Sequence, residues 1–138
     1  MANFGSYRVG VGSVGQYMMS GIPYVSSSIS VTGSGGSPEE INFPRITKFI
    51  TVVNEATGSA APIRVGFSSN GVSNSGDNNY FVLANGESYT GEFRVTSIYL
   101  LGDSATSSTC SVIAGLTGIT TASLDTGWHN WSGSAGVG

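Results

Sequence analysis

The sequence predicts an all-β protein, a single antiparallel β-sandwich of jelly-roll type held between two extended Gly/Ser-rich arms. Three observations lead there. From about residue 39 the chain runs in short apolar/polar alternations bounded by turn residues, the period-2 signature of strands with one buried face. No ten-residue stretch carries the 3.6-residue apolar repeat of an amphipathic helix. The length of 138 residues suffices for one hydrophobic core and leaves little room for a second domain.

The strands follow in order. SISV, near residue 30, is the first. In RITKFITVVN, Ile46, Lys48, Ile50 and Val52 alternate with Arg45, Thr47, Phe49, Thr51 and Val53. Apolar side chains therefore fall on both faces, and this strand is expected to run from an exposed end into a covered centre. PIRVGFS is the clearest strand, with Ile63, Val65 and Phe67 on a dry face and Arg64, Gly66 and Ser68 on a wet one. Pro44 and Pro62 stand at or just before the starts of these two runs, where a missing N–H does least harm to a ladder.

Between NYFVLA and ESYTGEF lies Asn85-Gly86, a pair in which both residues accept positive φ, so a tight hairpin reversal is expected there. FRVTSIYLL and TCSVIAGL follow, separated by the polar loop GDSATSS, and ITTASL near residue 120 brings the number of strands to about eight. That number suits a jelly roll. The alternative is an immunoglobulin-like sandwich without the disulfide that often accompanies it.

The ends read differently. Residues 1–27 form an expected N-terminal arm, 28–127 the sandwich and 128–138 a C-terminal tail. Both ends are rich in Gly and Ser yet carry large aromatic side chains: Phe4, Tyr7, Tyr17, Tyr24, Trp128 and Trp131. A disordered linker is poor in such residues, so these six are the candidate assembly contacts, each able to enter a pocket on a neighbour. The other reading folds them back on their own sandwich. Glycines interrupt every apolar run of the first 27 residues, which speaks against both a secretory signal and a membrane span.

Composition narrows the function. Charged residues make up 9% of the chain, against roughly 25% in ordinary soluble domains, and a neutral Ser/Thr/Asn/Gly surface suits packing against other proteins. The net charge is -3 and the five basic residues are scattered singly, so no basic patch is present for nucleic acid. Cys110 is the one cysteine and is expected to be a buried, inert thiol.

No catalytic constellation is legible. His129 is the one histidine, and nucleophilic catalysis needs a base held in reach of its nucleophile. Two Cys or His residues in all fall short of the four a structural zinc site needs. The loop with Ser73, Asn74, Asp77, Asn78 and Asn79 offers oxygens for calcium but a single carboxylate, a weak charge complement. Glu39 with Glu40, or Glu87 with Glu92, shows no spacing that would converge a catalytic pair. No cofactor is expected. Trp128, Trp131, Tyr80 and Tyr89 are the available platforms if the sandwich stacks against sugar rings, although a platform on a flexible tail loses its orienting advantage.

The strings FPRITKFITVVNE, IRVGFSSNGV, NYFVLANGESYTGEFRVTSIYLLG, SVIAGLTGI and NWSGSAGVG, with the opening GSYRVGVGSVGQYMMSGIPYV, resemble small virion structural proteins of marine tailed bacteriophages. The resemblance covers most of the sequence. It implies a non-enzymatic capsid decoration (cement) protein or a related vertex or fibre component, located on the capsid surface. Viral capsid proteins would be its partners, and a homo-oligomer, with a trimer favoured by analogy, its state. Neither nucleic acid nor membrane enters that picture. The competing class is a receptor- or carbohydrate-binding β-sandwich of a viral fibre.

Overall fold

The computed structural model describes residues 21–74, 76 and 78–123. Among these residues eight strands run in the order β1 (Ile22–Val31), β2 (Glu39–Asn42), β3 (Thr47–Asn54), β4 (Ile63–Gly66), β5 (Tyr80–Leu83), β6 (Ser88–Gly91), β7 (Ser97–Gly102) and β8 (Ser108–Leu116). A single helical turn, α1 (Ser69–Val72), follows β4, and a 3-10 turn (Thr121–Ser123) follows β8. All strand pairs are antiparallel. One sheet has the order β1-β8-β3-β6 and the other β2-β7-β4-β5. Every connection except β4 to β5 therefore crosses between sheets. An immunoglobulin-type sandwich pairs its first two strands in one sheet; here they lie in different sheets, and the arrangement is a jelly roll.

The core lies between the sheets. Ile50, Val52, Cys110, Val112, Ala114 and Leu116 point in from one side, and Ile41, Ile63, Val65, Leu83, Ile98 and Leu100 from the other. Aromatic contacts flank this core. Tyr24 packs edge-to-face on Phe43 at 5.1 Å on the β1/β2 side. On the β5/β6 side Phe67 meets Phe93 at 5.1 Å and Phe81 meets Tyr89 at 4.8 Å.

Asn54, fully buried at the end of β3, ties several segments together. Its Nδ2 donates to the carbonyls of Ala61 and Leu83, and its Oδ1 accepts from the Ala56 N–H and the Ser108 hydroxyl. With both ends of the side chain satisfied, the buried amide adds specificity without an orphaned polar group.

Several expectations are corrected. The Asn85-Gly86 reversal exists, with the Glu87 N–H on the Ala84 carbonyl at 3.0 Å, but it joins strands of different sheets and is not a hairpin. Gly86 alone takes positive φ, at 76°, which is the type II pattern rather than the hairpin type I′. Asn85 instead uses its side chain, accepting from the Ala61 N–H at 2.8 Å and donating to the Ser59 carbonyl at 2.9 Å. Residues 119–123, from ITTASL, do not form a strand. Beyond Leu116 the backbone turns across the start of β3, where the Ile46 N–H bonds the Ile119 carbonyl and the Thr117 N–H bonds the Ile46 carbonyl. The eighth strand is β2, whose Glu39 and Glu40 are exposed and whose Ile41 alone is buried.

In β3 the alternation slips at a bulge between Thr47 and Phe49, so Thr47 is buried although Lys48 was expected to share the Ile50 face. The segment FRVTSIYLL forms a strand from Ser97 onward. β1 begins at Ile22, inside the segment 1–27 expected to be an arm. Phe4, Tyr7, Tyr17, Trp128 and Trp131 lie outside the described residues.

Candidate binding face

The outer surfaces of the two sheets are built from different chemistry. In β1-β8-β3-β6, Lys48 is the one charged residue of four strands. Register places Val25 of β1 opposite Ile113 of β8, Ile113 opposite Thr51 of β3, and Thr51 opposite Thr90 of β6. This row crosses the whole sheet. Val25 is 66% exposed and Ile113 39%, and the Thr51 and Thr90 hydroxyls bond each other at 2.7 Å. The neighbouring row runs Pro23, Gly115, Phe49. Gly115 has no room for a side chain because the Phe49 ring lies where its Cβ would project. The result is a contiguous apolar and hydroxyl surface on a face where alternation ordinarily places charge.

β1 is also the longest edge strand, at ten residues against four for β2, β5 and β6. Its edge is blunted by Pro23 and by the irregularity between Ser26 and Ile29, where Ser28 takes φ 56°. Proline and bulges of this kind discourage strand addition, so the face, more than the edge, is what β1 offers a partner.

The outer face of β2-β7-β4-β5 is closed over at β4, whereas Val82 of β5, 42% exposed, and Glu40 and Asn42 of β2 stay open. Arg64 and Gly66, expected on a wet face, are buried, Arg64 being 8% exposed. Arg64 Nε bonds Asp103 Oδ1 at 2.7 Å. Its Nη1 donates to the Val72 carbonyl at 2.9 Å and to Asn74 Oδ1 at 2.8 Å, and its guanidinium stacks on Tyr80 at 4.6 Å. Val72, from α1, fills the space over Gly66, where a Cβ would come within 2.6 Å of it. Ser68 caps α1 by accepting the Gly71 N–H at 2.9 Å. Asn74 Nδ2 then holds the Ser34 carbonyl at 2.6 Å. The covering segment is thus pinned by one charged side chain whose donors are matched to a carboxylate, a carbonyl and an amide.

The remaining candidates resolve into structural roles. Tyr24 packs against its own core through Phe43. Tyr80 presents its ring to Arg64 rather than to solvent, while Tyr89 is exposed beside Phe81. Glu40 accepts the Tyr99 hydroxyl at 2.9 Å; burial, chiefly, and the Glu40 contact push the Tyr99 phenol up from its ordinary value. Glu87 accepts the Ala84 N–H in the β5/β6 corner, and Glu55 accepts the Ser111 hydroxyl. Asn74 spends its side chain on Arg64 and Ser34. Cys110 is fully buried, and burial, with lesser contributions from Glu55 and Glu39, pushes its thiol up to about 12. Among the described residues no three His, Cys, Asp or Glu side chains converge as metal ligands, and no helix is long and apolar enough to cross a membrane.

The sequence matches no family model and no curated protein. Sequence reasoning had the means to find the bare face: Val112-Ile113 breaks the alternation of β8, and Phe49 and Val53 share the side of β3 opposite its core. Val25 gave no such signal, because β1 was expected to begin after it.

Proposed function

We propose that this protein is a non-enzymatic virion structural protein, a capsid decoration protein that sits on the head surface and binds the capsid lattice through the outer face of β1-β8-β3-β6. The observation that carries this reading is the uncharged row Val25, Ile113, Thr51, Thr90. Such a row loses apolar surface to a neutral protein partner at roughly 25 cal/mol per Å² covered, with the Glu55 carboxylate on Ser111 the nearest charge beside it. The jelly roll, an architecture shared by capsid and lectin domains, is compatible by analogy alone, since a fold does not dictate a function. The aromatic residues of the two ends, Phe4, Tyr7, Tyr17, Trp128 and Trp131, are the further contacts this reading assigns to assembly, as part of a homo-oligomer.

The test is occupancy. Full-length protein and its Val25→Asp/Ile113→Asp variant are added to head particles lacking the protein, and bound copies are counted. A buried anchor is worth about 2 kcal/mol or more, so the variant should bind at least about tenfold less while remaining folded, its paired carboxylates lowering the melting temperature somewhat. Equal occupancy would remove the face from the account. A second reading, a receptor- or carbohydrate-binding domain of a fibre, draws on Tyr89, exposed beside Phe81. Glycan binding abolished by Tyr89→Ala, with no affinity for head particles, would select it.

A further inference from the structure

The two sheets end in the edge strands β1, β6, β2 and β5, and an edge offers its outward backbone groups to any strand that can lie along it. Three of these edges are defended. β1 carries Pro23 and the irregularity between Ser26 and Ile29. β2 carries Glu39 and Glu40, both exposed, and pairing with a second copy of itself would crowd their carboxylates. β6 lies between Glu87 and Glu92, and antiparallel self-pairing about its centre would set one opposite the other. β5 is different. Residues 78–84 hold neither charge nor proline, and the β5 register with β4 is regular.

The hydrogen bonds on the far side of β4 fix which groups β5 turns outward. The Asp103 N–H donates to the Pro62 carbonyl at 2.9 Å, so these two residues form a bonded pair at the start of the β4/β7 ladder. Bonded and non-bonded pairs alternate along an antiparallel ladder. Arg64 and Gly66 therefore bond β7, while Ile63 and Val65 bond β5 at Leu83 and Phe81. The N–H and C=O groups of Tyr80 and Val82 are left directed away from the sheet, and among the described residues no strand lies beyond them. The next outward group, the Ala84 N–H, is met by the Glu87 carboxylate, which ends the free edge. We propose that β5 is a homodimer edge, on which two copies join antiparallel and merge their β2-β7-β4-β5 sheets into one. Tyr80 bonds Val82 of the second copy, and Val82 bonds its Tyr80. Phe81 then faces Phe81 of the second copy in a non-bonded pair, where side chains stand closest, and Asn79 faces Leu83, so like charges never meet. The occupant is a second copy because the outward groups of Tyr80 and Val82 are their own complement under a two-fold axis, and the neutral register holds nothing that would select a charged partner. This edge belongs to the sheet that does not carry Val25 and Ile113, so the inference goes beyond the capsid reading and leaves that face free.

The experiment is analytical ultracentrifugation of the full-length protein over a range of concentrations, where self-association should produce the mass of two chains. Val82→Pro removes an outward N–H and no donor of the β4/β5 ladder, so the variant should stay folded, an edge being where proline is tolerated, and should dimerise at least about tenfold more weakly. Val82→Lys sets a charge on the same edge with the backbone intact and should weaken the dimer likewise, which keeps the test decisive if proline disturbs β5. Phe81→Cys should link two copies by a disulfide on mild oxidation, because facing Cα atoms of a non-bonded pair lie within disulfide reach. The unaltered protein, whose Cys110 is fully buried, should not. Val25→Asp/Ile113→Asp should dimerise as the unaltered protein does. A full-length protein that stays monomeric or forms a trimer, a dimer that survives both Val82 variants, a Phe81→Cys variant that does not cross-link, or a dimer lost in Val25→Asp/Ile113→Asp would each overturn the proposal.

Discussion

On the outside of β4 an arginine, an asparagine and the Val72 turn close over the sheet; on the outside of β8 an isoleucine and a valine stand open side by side. Both sheets contribute to one core, and both central strands have apolar inner faces, so the difference arises from what the connections do. The β4 to β5 connection stays within one sheet and doubles back across it, and the other connections cross to the facing sheet. A charged residue on the first face becomes a buried clasp. On the second face, strands nearly free of charge leave apolar groups in water. Burial of an outward-facing residue thus depends on a segment that arrives from elsewhere.

The largest effect is expected at Arg64. Arg64→Ala strands the Asp103 carboxylate and removes the partners of Val72 and Asn74, and should cost about 3 kcal/mol, read by denaturant unfolding. Next comes Gly66→Ala, whose Cβ would come within 2.6 Å of Val72 Cγ1 and 2.9 Å of the Asn79 carbonyl. Overpacking should cost about 1 to 3 kcal/mol by the same measurement. An effect near zero at both positions would mean that the covering segment is only loosely held.

A smaller effect belongs to the core that the two faces share. The Cys110 thiol, 9.0 in its ordinary state and pushed up to about 12 by burial, favours the folded protein only while neutral. In the unfolded protein the thiolate forms above about pH 9, so the unfolded state there binds fewer protons and stability falls as pH rises from about 9 to 12. The slope is at most about 1.4 kcal/mol per pH unit. Cys110→Ala should remove this slope, leaving the contribution of Tyr99, whose pKa is also raised. The smallest effect is expected on the bare face, where Val25→Ser and Ile113→Ser should each change stability by less than about 0.5 kcal/mol in thermal unfolding. A loss comparable to that of Arg64→Ala would show that this face is internally committed.

Much of the fold was legible because period-2 alternation reports burial between sheets directly. Alternation puts Ile63 and Val65 on the buried face and groups Ile50 with Val52 on one face without saying which is covered, and Cys110, expected inside, is buried. What alternation does not report is a third layer. Arg64 was assigned to water because its neighbours in β4 are apolar, and nothing within PIRVGFS reveals that residues 69–74 return over it. Glu39-Glu40 hid β2, since one buried Ile41 is too little to mark a period. Asn85-Gly86 announced a reversal, but a reversal does not say whether the next strand pairs with the last one or crosses to the facing sheet. The bare face was half visible in the paired apolar residues Val112-Ile113. Its extension to Val25 required the pairing of β1 with β8, a contact between residues far apart in the sequence.

The central claim, that the exposed β1-β8-β3-β6 face is where the protein meets its partner, is tested most directly by a reconstruction of the intact particle at a resolution that shows individual residues. The account predicts density for the sandwich on the head surface with Val25 and Ile113 against the capsid lattice and the Arg64-clasped face turned to solvent. Density for the protein on tail appendages, or on the head with Val25 and Ile113 facing solvent, would contradict it.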